Sequence, residues 1–356
     1  MPLIVDGNQV PSRWLERKHS ARVHPLYGGG ARSKWVRIAL INNMPDSALE
    51  DTEFQFFELL DAASEDLPVF LKLYSLTGVP RSDRGMRHLN SFYFGLDDLW
   101  KSDLDGAIIT GTEPHHEDLK DEPYWSHLSS VLDWAERSTT STILSCLAAH
   151  ASVLYSDGVN RHKLPDKQFG VFRSNRVRAH PLIENLPLAV EFPHSRWNEV
   201  RETDLVASGY TVLTKSPAAG VDMFVKKRSR STFVYFQGHP EYGSQTLFKE
   251  YRRDVRRFLR GEREAYPTMP VGYFDPKTME LLSRFQDDVS VDRRENRIDS
   301  FPESACEGLS SKWRLTASSI YRNWLNQFVR KEERSTVASF TRAGRIGHDS
   351  MNGEIA

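Results

Sequence analysis

The chain has 356 residues, 39% of them apolar and including 8 Trp, 12 Tyr and 19 Phe, which is enough to bury a sizeable core in one or two domains. Lys and Arg number 47 against 48 Asp and Glu, a formal net charge of −1 that argues against a general nucleic-acid-binding surface. Nothing approaches the roughly 20 consecutive apolar residues of a membrane span, no signal-peptide core follows Met1-Pro2-Leu3-Ile4, and the two cysteines, Cys146 and Cys306, are too few for a four-thiolate zinc site or a disulfide framework, so the chain reads as cytoplasmic.

Residues 1–34 read as a polar arm with Pro2, Pro11 and Pro25, ending in Gly28-Gly29-Gly30. No GKS/T follows these glycines, so they read as a turn and not as a phosphate cradle. The β-rich run over 35–42 predicts a buried strand. Asp46 or Ser47 can then cap a helix carrying Phe56, Phe57, Leu60 and Ala63 at helical spacing. Strands are predicted over 69–74 and 105–111, a helix over 124–135, and a further strand over 142–145 that runs into Cys146 and the small-residue helix start Leu147-Ala148-Ala149-His150-Ala151. This alternation predicts an α/β fold, a mostly parallel sheet with helices on both faces.

Beyond Leu182 shorter strands are predicted over 190–192, 210–213, 223–225 and 232–236, adding an antiparallel edge, and a helix follows over 244–259. Prolines 267, 270 and 276 mark a linker, with helices near 277–288 and 310–331. The second carries Trp313, Ala317, Ile320, Trp324 and Phe328 at spacings of three and four, a stripe expected to pack on the main domain or on a partner subunit. The expected organisation is an N-terminal arm (1–34), a catalytic domain (35–265), a helical extension (266–335) and a flexible tail (336–356).

Cys146 lies between an apolar strand and a helix start. A side chain at that corner is held out near the first free N–H groups of the helix, which favour a thiolate and can hold an oxyanion; the N–H of Leu147 is the natural donor. The competing reading is a buried structural cysteine. Gly238-His239-Pro240-Glu241 follows the strongest late strand. Residues two apart on an extended segment point the same way, so Glu241 can orient one imidazole nitrogen of His239 while the other faces a thiol. Nucleophile, base and orienter follow the logic of a triad. His150, one helical turn after Cys146, has no acidic orienter nearby and reads as a packing histidine. His115-His116-Glu117-Asp118 lacks the HExxH spacing and reads as a loop lining, not a metal site.

Asn43-Met44-Pro45, Thr52-Glu53-Phe54-Gln55, Asn90-Ser91-Phe92-Tyr93, the 105–111 strand, Tyr124-Trp125, Asp133-Trp134, Cys146, Pro193-His194-Ser195-Arg196 and Gly238-His239-Pro240-Glu241-Tyr242 together resemble the homoserine O-succinyltransferase/O-acetyltransferase family of methionine biosynthesis, in order over roughly 35–260. The resemblance implies a class I glutamine-amidotransferase-like fold, a modified flavodoxin-like sheet. It implies that Cys146 carries the acyl group, that His239 is the proton acceptor and Glu241 its partner, and that Lys167, Ser195 and Arg253 contact the amino-acid substrate. It also implies an acyl-CoA co-substrate, either succinyl-CoA or acetyl-CoA, without a bound cofactor, and a homodimer. Two positions depart from the family pattern: Asp46 and Ser47 follow Met44-Pro45 where lysines are usual, and the loop Thr112-Glu113-Pro114-His115 places His115 where Gly or Glu usually selects the acyl group. The region after about 266 is expected to extend beyond the family core.

The leading expectation is therefore ping-pong acyl transfer from acyl-CoA to the hydroxyl of homoserine. Serine as acceptor, a glutamine-hydrolysing enzyme on the same scaffold, and a non-catalytic binding protein are the alternatives.

Overall fold

A computed structural model of the chain describes residues 3–6 and 35–326. The first half builds strands β1 (Leu3–Asp6), β2 (Val36–Ile41), β3 (Val69–Tyr74), β4 (Gly106–Ile109) and β5 (Ser141–Ser145). Helices α1 (Asp46–Ser64), α2 (Asp83–Phe92), α3 (Leu96–Lys101), α4 (Trp125–Ser138) and α5 (Leu147–Asp157) accompany them. The second half contributes β6 (His162–Arg176), β7 (Ala189–Glu199), α6 (Glu202–Ala207), β8 (Thr211–Ser216), β9 (Gly220–Arg228) and β10 (Ser231–Phe236). It closes with α7 (Thr246–Leu259), α8 (Pro276–Val291) and α9, residues 313–326.

One sheet holds all ten strands, in the order β1-β3-β2-β4-β5-β10-β9-β8-β6-β7. The run from β1 to β10 is parallel and the remaining pairs are antiparallel. Within it, β3-β2-β4-β5-β10 has the flavodoxin-like order, whose ligand crevice lies outside the carboxyl ends of the strands. Alternation sets the two faces. Ile38 and Leu40 of β2 enter a core with Phe56 and Leu60 of α1, whereas Ala39 and Ile41 enter one with Val131 and Ala135 of α4. A third cluster joins Tyr251, Val255 and Phe258 of α7 to Leu282 and Phe285 of α8. Asp275 caps α8 by accepting from the N–H groups of Lys277 and Thr278, and Pro276 takes the first helical position, where no N–H is needed.

The predicted α/β architecture is the observed one, and the late strands are antiparallel as expected. Residues 3–6 of the segment read as an arm instead form an edge strand, pairing Leu3 with Val69 through Asp6 with Lys72. The rest of that segment, including Gly28-Gly29-Gly30, lies outside the described residues, as do Phe328 and the 336–356 tail. Strand β6 was not foreseen. Pro165 and the charged residues around it mask its alternation, and the ladder with β7 shifts register between Lys163 and Gln168. Gly170 has φ +144°, and a Cβ there would stand 2.3 Å from the Val271 carbonyl oxygen.

The stripe on α9 packs on the chain's own sheet. Trp313, Ala317, Ile320 and Trp324 are buried in the α1-side core, and the Trp324 indole donates to Ser141 Oγ at 2.9 Å, at the foot of β5. Among the described residues no helix is long and apolar enough to cross a membrane.

Candidate active site

Strand β5 ends in a sharp turn. Cys146 takes φ 51° and ψ −111°, a backbone conformation that an L-residue adopts only under strain and that is typical of a nucleophile held out on an elbow. The surroundings over-determine it. Its N–H donates to Phe236 O at 2.8 Å, at the end of β10, and its carbonyl accepts from His150 N at 3.2 Å, starting α5. The small residues Ala148, Ala149 and Ala151 let that helix pack closely on the sheet. Cys146 as a residue is half-buried.

Gly111, just past β4, lies against the first residue of α5. A Cβ at 111 would stand 2.7 Å from Leu147 Cβ and 3.0 Å from its backbone nitrogen. Only glycine leaves the Leu147 N–H room to meet an incoming oxyanion.

His239 follows β10. Its N–H donates to Pro193 O at 2.7 Å, and its Nδ1 pairs with Glu241 Oε1 at 2.9 Å. The same carboxylate oxygen accepts from Ser145 Oγ at 2.9 Å, tying Glu241 to the strand that leads to Cys146. Tyr242 stacks on the imidazole with ring centroids 4.2 Å apart. Burial alone would push the His239 pKa down, but the charge of Cys146, the charge of Glu241 and hydrogen bonds to both hold it well above its ordinary value.

A buried polar layer supports the corner. Gly238 N donates to Asp222 Oδ1 at 3.0 Å, and a Cβ at 238 would meet that oxygen at 2.7 Å. Gln237 accepts from the Val200 N–H at 2.8 Å and donates to Val221 O at 2.7 Å. Its Oε1 also pairs with His150 Nε2 at 2.9 Å, bracing the helix after Cys146 against the strand that leads to His239. Burial, reinforced by the Arg196 charge, lowers the His150 pKa to about 3, which favours its neutral form.

Lys167 on β6, Ser195 on β7 and Arg253 on α7 converge on two acids of α7. Lys167 Nζ lies 3.0 Å from Asp254 Oδ2 and 3.7 Å from Glu250 Oε2. Ser195 Oγ donates to Glu250 Oε2, and the Tyr242 hydroxyl donates to Glu250 Oε1 at 2.7 Å. Arg253 Nε donates to Asp254 Oδ1 at 3.0 Å, while its guanidinium remains partly exposed. Glu250 and Asp254 escaped the sequence reading. Their signal was present, because Glu250, Arg253, Asp254 and Arg257 recur at three- and four-residue spacing along one helix face.

Glu113 of the 112–115 loop reaches the same helix, with Oε1 3.2 Å from Arg257 Nη1. Thr112 is half-buried beside Gly111, whereas the His115 side chain is exposed. The backbone N–H groups of His115 and His116 donate to the buried Glu122 at 2.6 and 2.7 Å, which shapes the loop. Among the described residues, no group of three or more His, Cys, Asp or Glu side chains is arranged to hold a metal ion.

The fold and this cluster define a flavodoxin-like α/β protein with a strained cysteine and a buried histidine–glutamate pair at the carboxyl ends of its central strands. The profile of the homoserine O-succinyltransferase family matches residues 2–335, and the chain belongs to that family. It is 44% identical to the homoserine O-succinyltransferase of Rhodopseudomonas palustris over 83% of this chain and 89% of that one. It is 43% identical to the homoserine O-succinyltransferase of Methylorubrum extorquens over 82% and 86% of the two chains. Among solved structures, a glutamine amidotransferase from Methylobacillus flagellatus is similar at 16% identity with a TM-score of 0.44, covering 82% of this chain and 94% of that one. The family match corrects one expectation, since it runs through residue 335 and so includes the region after 266.

Proposed function

We propose that this protein transfers the succinyl group of succinyl-CoA to the hydroxyl of homoserine through an acyl-cysteine, with Cys146 as nucleophile, His239 as proton carrier and Glu241 as its orienter. The observation that carries the chemistry is the buried His239 imidazole, hydrogen-bonded to Glu241 and raised in pKa beside the strained Cys146. The family and the names of its relatives support the choice of substrates.

The Cys146 sulfur attacks the thioester carbonyl, and the oxyanion forms against the Leu147 N–H. The carbon–sulfur bond to coenzyme A breaks, and the His239 imidazolium gives its proton to the leaving sulfur. Exchange of one thioester for another is nearly balanced, so the site mainly has to stabilise the oxyanion and exclude water. Acylation also removes the negative sulfur, one of the charges holding His239 protonated. The imidazole is then ready to accept the proton of the homoserine hydroxyl as that oxygen attacks the acyl-cysteine. Breaking the second tetrahedral intermediate restores the sulfur anion beside the imidazolium. In this scheme Arg253 grips the substrate carboxylate, and Glu250, held by Ser195 and Tyr242, receives its ammonium group. Acyl-CoA is a co-substrate in this scheme, and no cofactor takes part.

Mixing the protein with succinyl-CoA alone and weighing it should reveal a succinyl adduct on Cys146. Absence of an adduct with any acyl-CoA, or an adduct at another residue, would sink the covalent scheme. A matrix of succinyl- and acetyl-CoA against homoserine and serine, read as free coenzyme A, then ranks donor and acceptor. The highest rate is expected for the succinyl–homoserine pair.

A further inference from the structure

Glu241 uses only one of its two carboxylate oxygens. Oε1 accepts from Ser145 and pairs with His239, while Oε2 is buried with no hydrogen-bond partner among the described residues. A carboxylate oxygen left dry and unpaired in a core is expensive. The complementary orphan lies on α9. Tyr321 is fully buried, and its hydroxyl likewise has no partner among the described residues.

Helix α9 is docked on this acid through its backbone. Arg314 Nη1 donates to Glu241 O at 2.8 Å, and the Trp313 indole N–H donates to Tyr242 O at 2.8 Å. Arg314 also reaches Gln55 O at 3.3 Å and Glu58 Oε2 at 3.4 Å, fixing the start of α9 against α1. Two helical turns beyond Arg314, on the same buried stripe, comes Tyr321.

We propose that the Tyr321 hydroxyl serves the second oxygen of Glu241, which makes Tyr321 a positioning residue for the His239–Glu241 pair. Both groups lack a partner among the described residues, and Tyr321 lies on α9 between Trp313, which bonds the Tyr242 carbonyl, and Trp324, which bonds Ser141 at the foot of β5, so one bridging water would serve both. Burial and the Glu241 charge keep the phenol protonated, and therefore a donor. The remaining groups facing Glu241 are His239, Tyr242 and Arg314, while His194 and Asp222 also act on His239. Of these, Arg314 bonds the backbone carbonyl of Glu241, leaving its second carboxylate oxygen to Tyr321. The role rests on the acyl-cysteine reading of the site.

Tyr321→Phe deletes only the hydroxyl and keeps the ring in its packing. Without that donor the carboxylate bears more fully on the imidazole, and the apparent pKa of His239 rises. The alkaline limb of acylation should move to higher pH, and so should the acid limb of transfer to homoserine. Glu241→Gln removes the charge itself and should move both limbs the opposite way. For Tyr321→Phe, kcat is expected to fall about tenfold, the scale of one hydrogen bond to a charged group, with KM for homoserine unchanged and the Cys146 adduct still formed. Tyr321→Phe profiles that overlay those of the wild type would overturn the proposal. A uniform loss of rate with unmoved limbs would do the same, since it would mark a merely structural residue. A wild-type protein that forms no adduct on Cys146 would remove the underlying reading before any substitution is made.

Discussion

Cys146→Ala is expected to lower succinyl transfer by about 10⁴-fold or more, because loss of a covalent nucleophile removes a whole reaction path and leaves only binding and oxyanion contacts. The variant should keep its fold. The corner is held by the N–H of Cys146 on Phe236 O and by its carbonyl on His150 N, and alanine retains both bonds. Intact mass after mixing with succinyl-CoA should equal that of the untreated variant, and coenzyme A release should lose its burst. Cys146→Gly sharpens the test. Positive φ at 51° strains any side-chain-bearing residue, by roughly 1–3 kcal/mol at such positions, and glycine relieves it. The glycine variant should therefore melt at higher temperature than the wild type and still be inactive. Residual wild-type-like turnover in either variant would reassign the nucleophile.

Glu241→Gln is expected to lower kcat/KM by about 10²–10³-fold, within the range that a positioned acid–base group contributes. The carboxylate accepts from Ser145 Oγ and pairs with the imidazole through one oxygen. A carboxamide keeps the shape but loses the charge, and it turns an NH₂ donor toward buried surroundings. The sign of the pH effect follows from the balance at His239. Burial lowers that group, while Cys146 and Glu241 raise it above its ordinary value of 6.5. With one raising charge removed, the imidazolium is lost at lower pH. The sulfur–imidazolium pair that begins acylation then disappears earlier as pH rises, so the alkaline limb moves toward neutrality. Single-turnover acylation across the pH range measures this, and an unmoved limb would place the controlling titration on another group.

Much of the local architecture was legible because its cause is local. The strands at 36–41, 69–74, 106–109 and 141–145 are short apolar runs buried on both faces, as a central parallel sheet requires. The strand-to-helix corner at Cys146 and the Gly238-His239-Pro240-Glu241 turn were visible for the same reason. Strand β6 was hidden because it lies toward the sheet's outer edge, where exposed polar residues and Pro165 blur the period of two. The Glu122 carboxylate that shapes the 112–115 loop was equally invisible, since nothing in the chain before or after it announces a buried acid.

By itself, then, the sequence determined the parallel α/β scaffold and three chemically matched side chains, because hydrophobic period and turn chemistry act over a few residues. Only the tertiary structure decided their surroundings. It set Lys167 and Ser195, from two antiparallel strands, against Glu250 and Asp254 of α7, and it brought Arg314 and Trp313 of α9 onto the backbone carbonyls of Glu241 and Tyr242. Those juxtapositions join residues far apart in the chain, and they follow from which faces of sheet and helix bury each other, a choice made by the packing of the whole core and not by any local spacing.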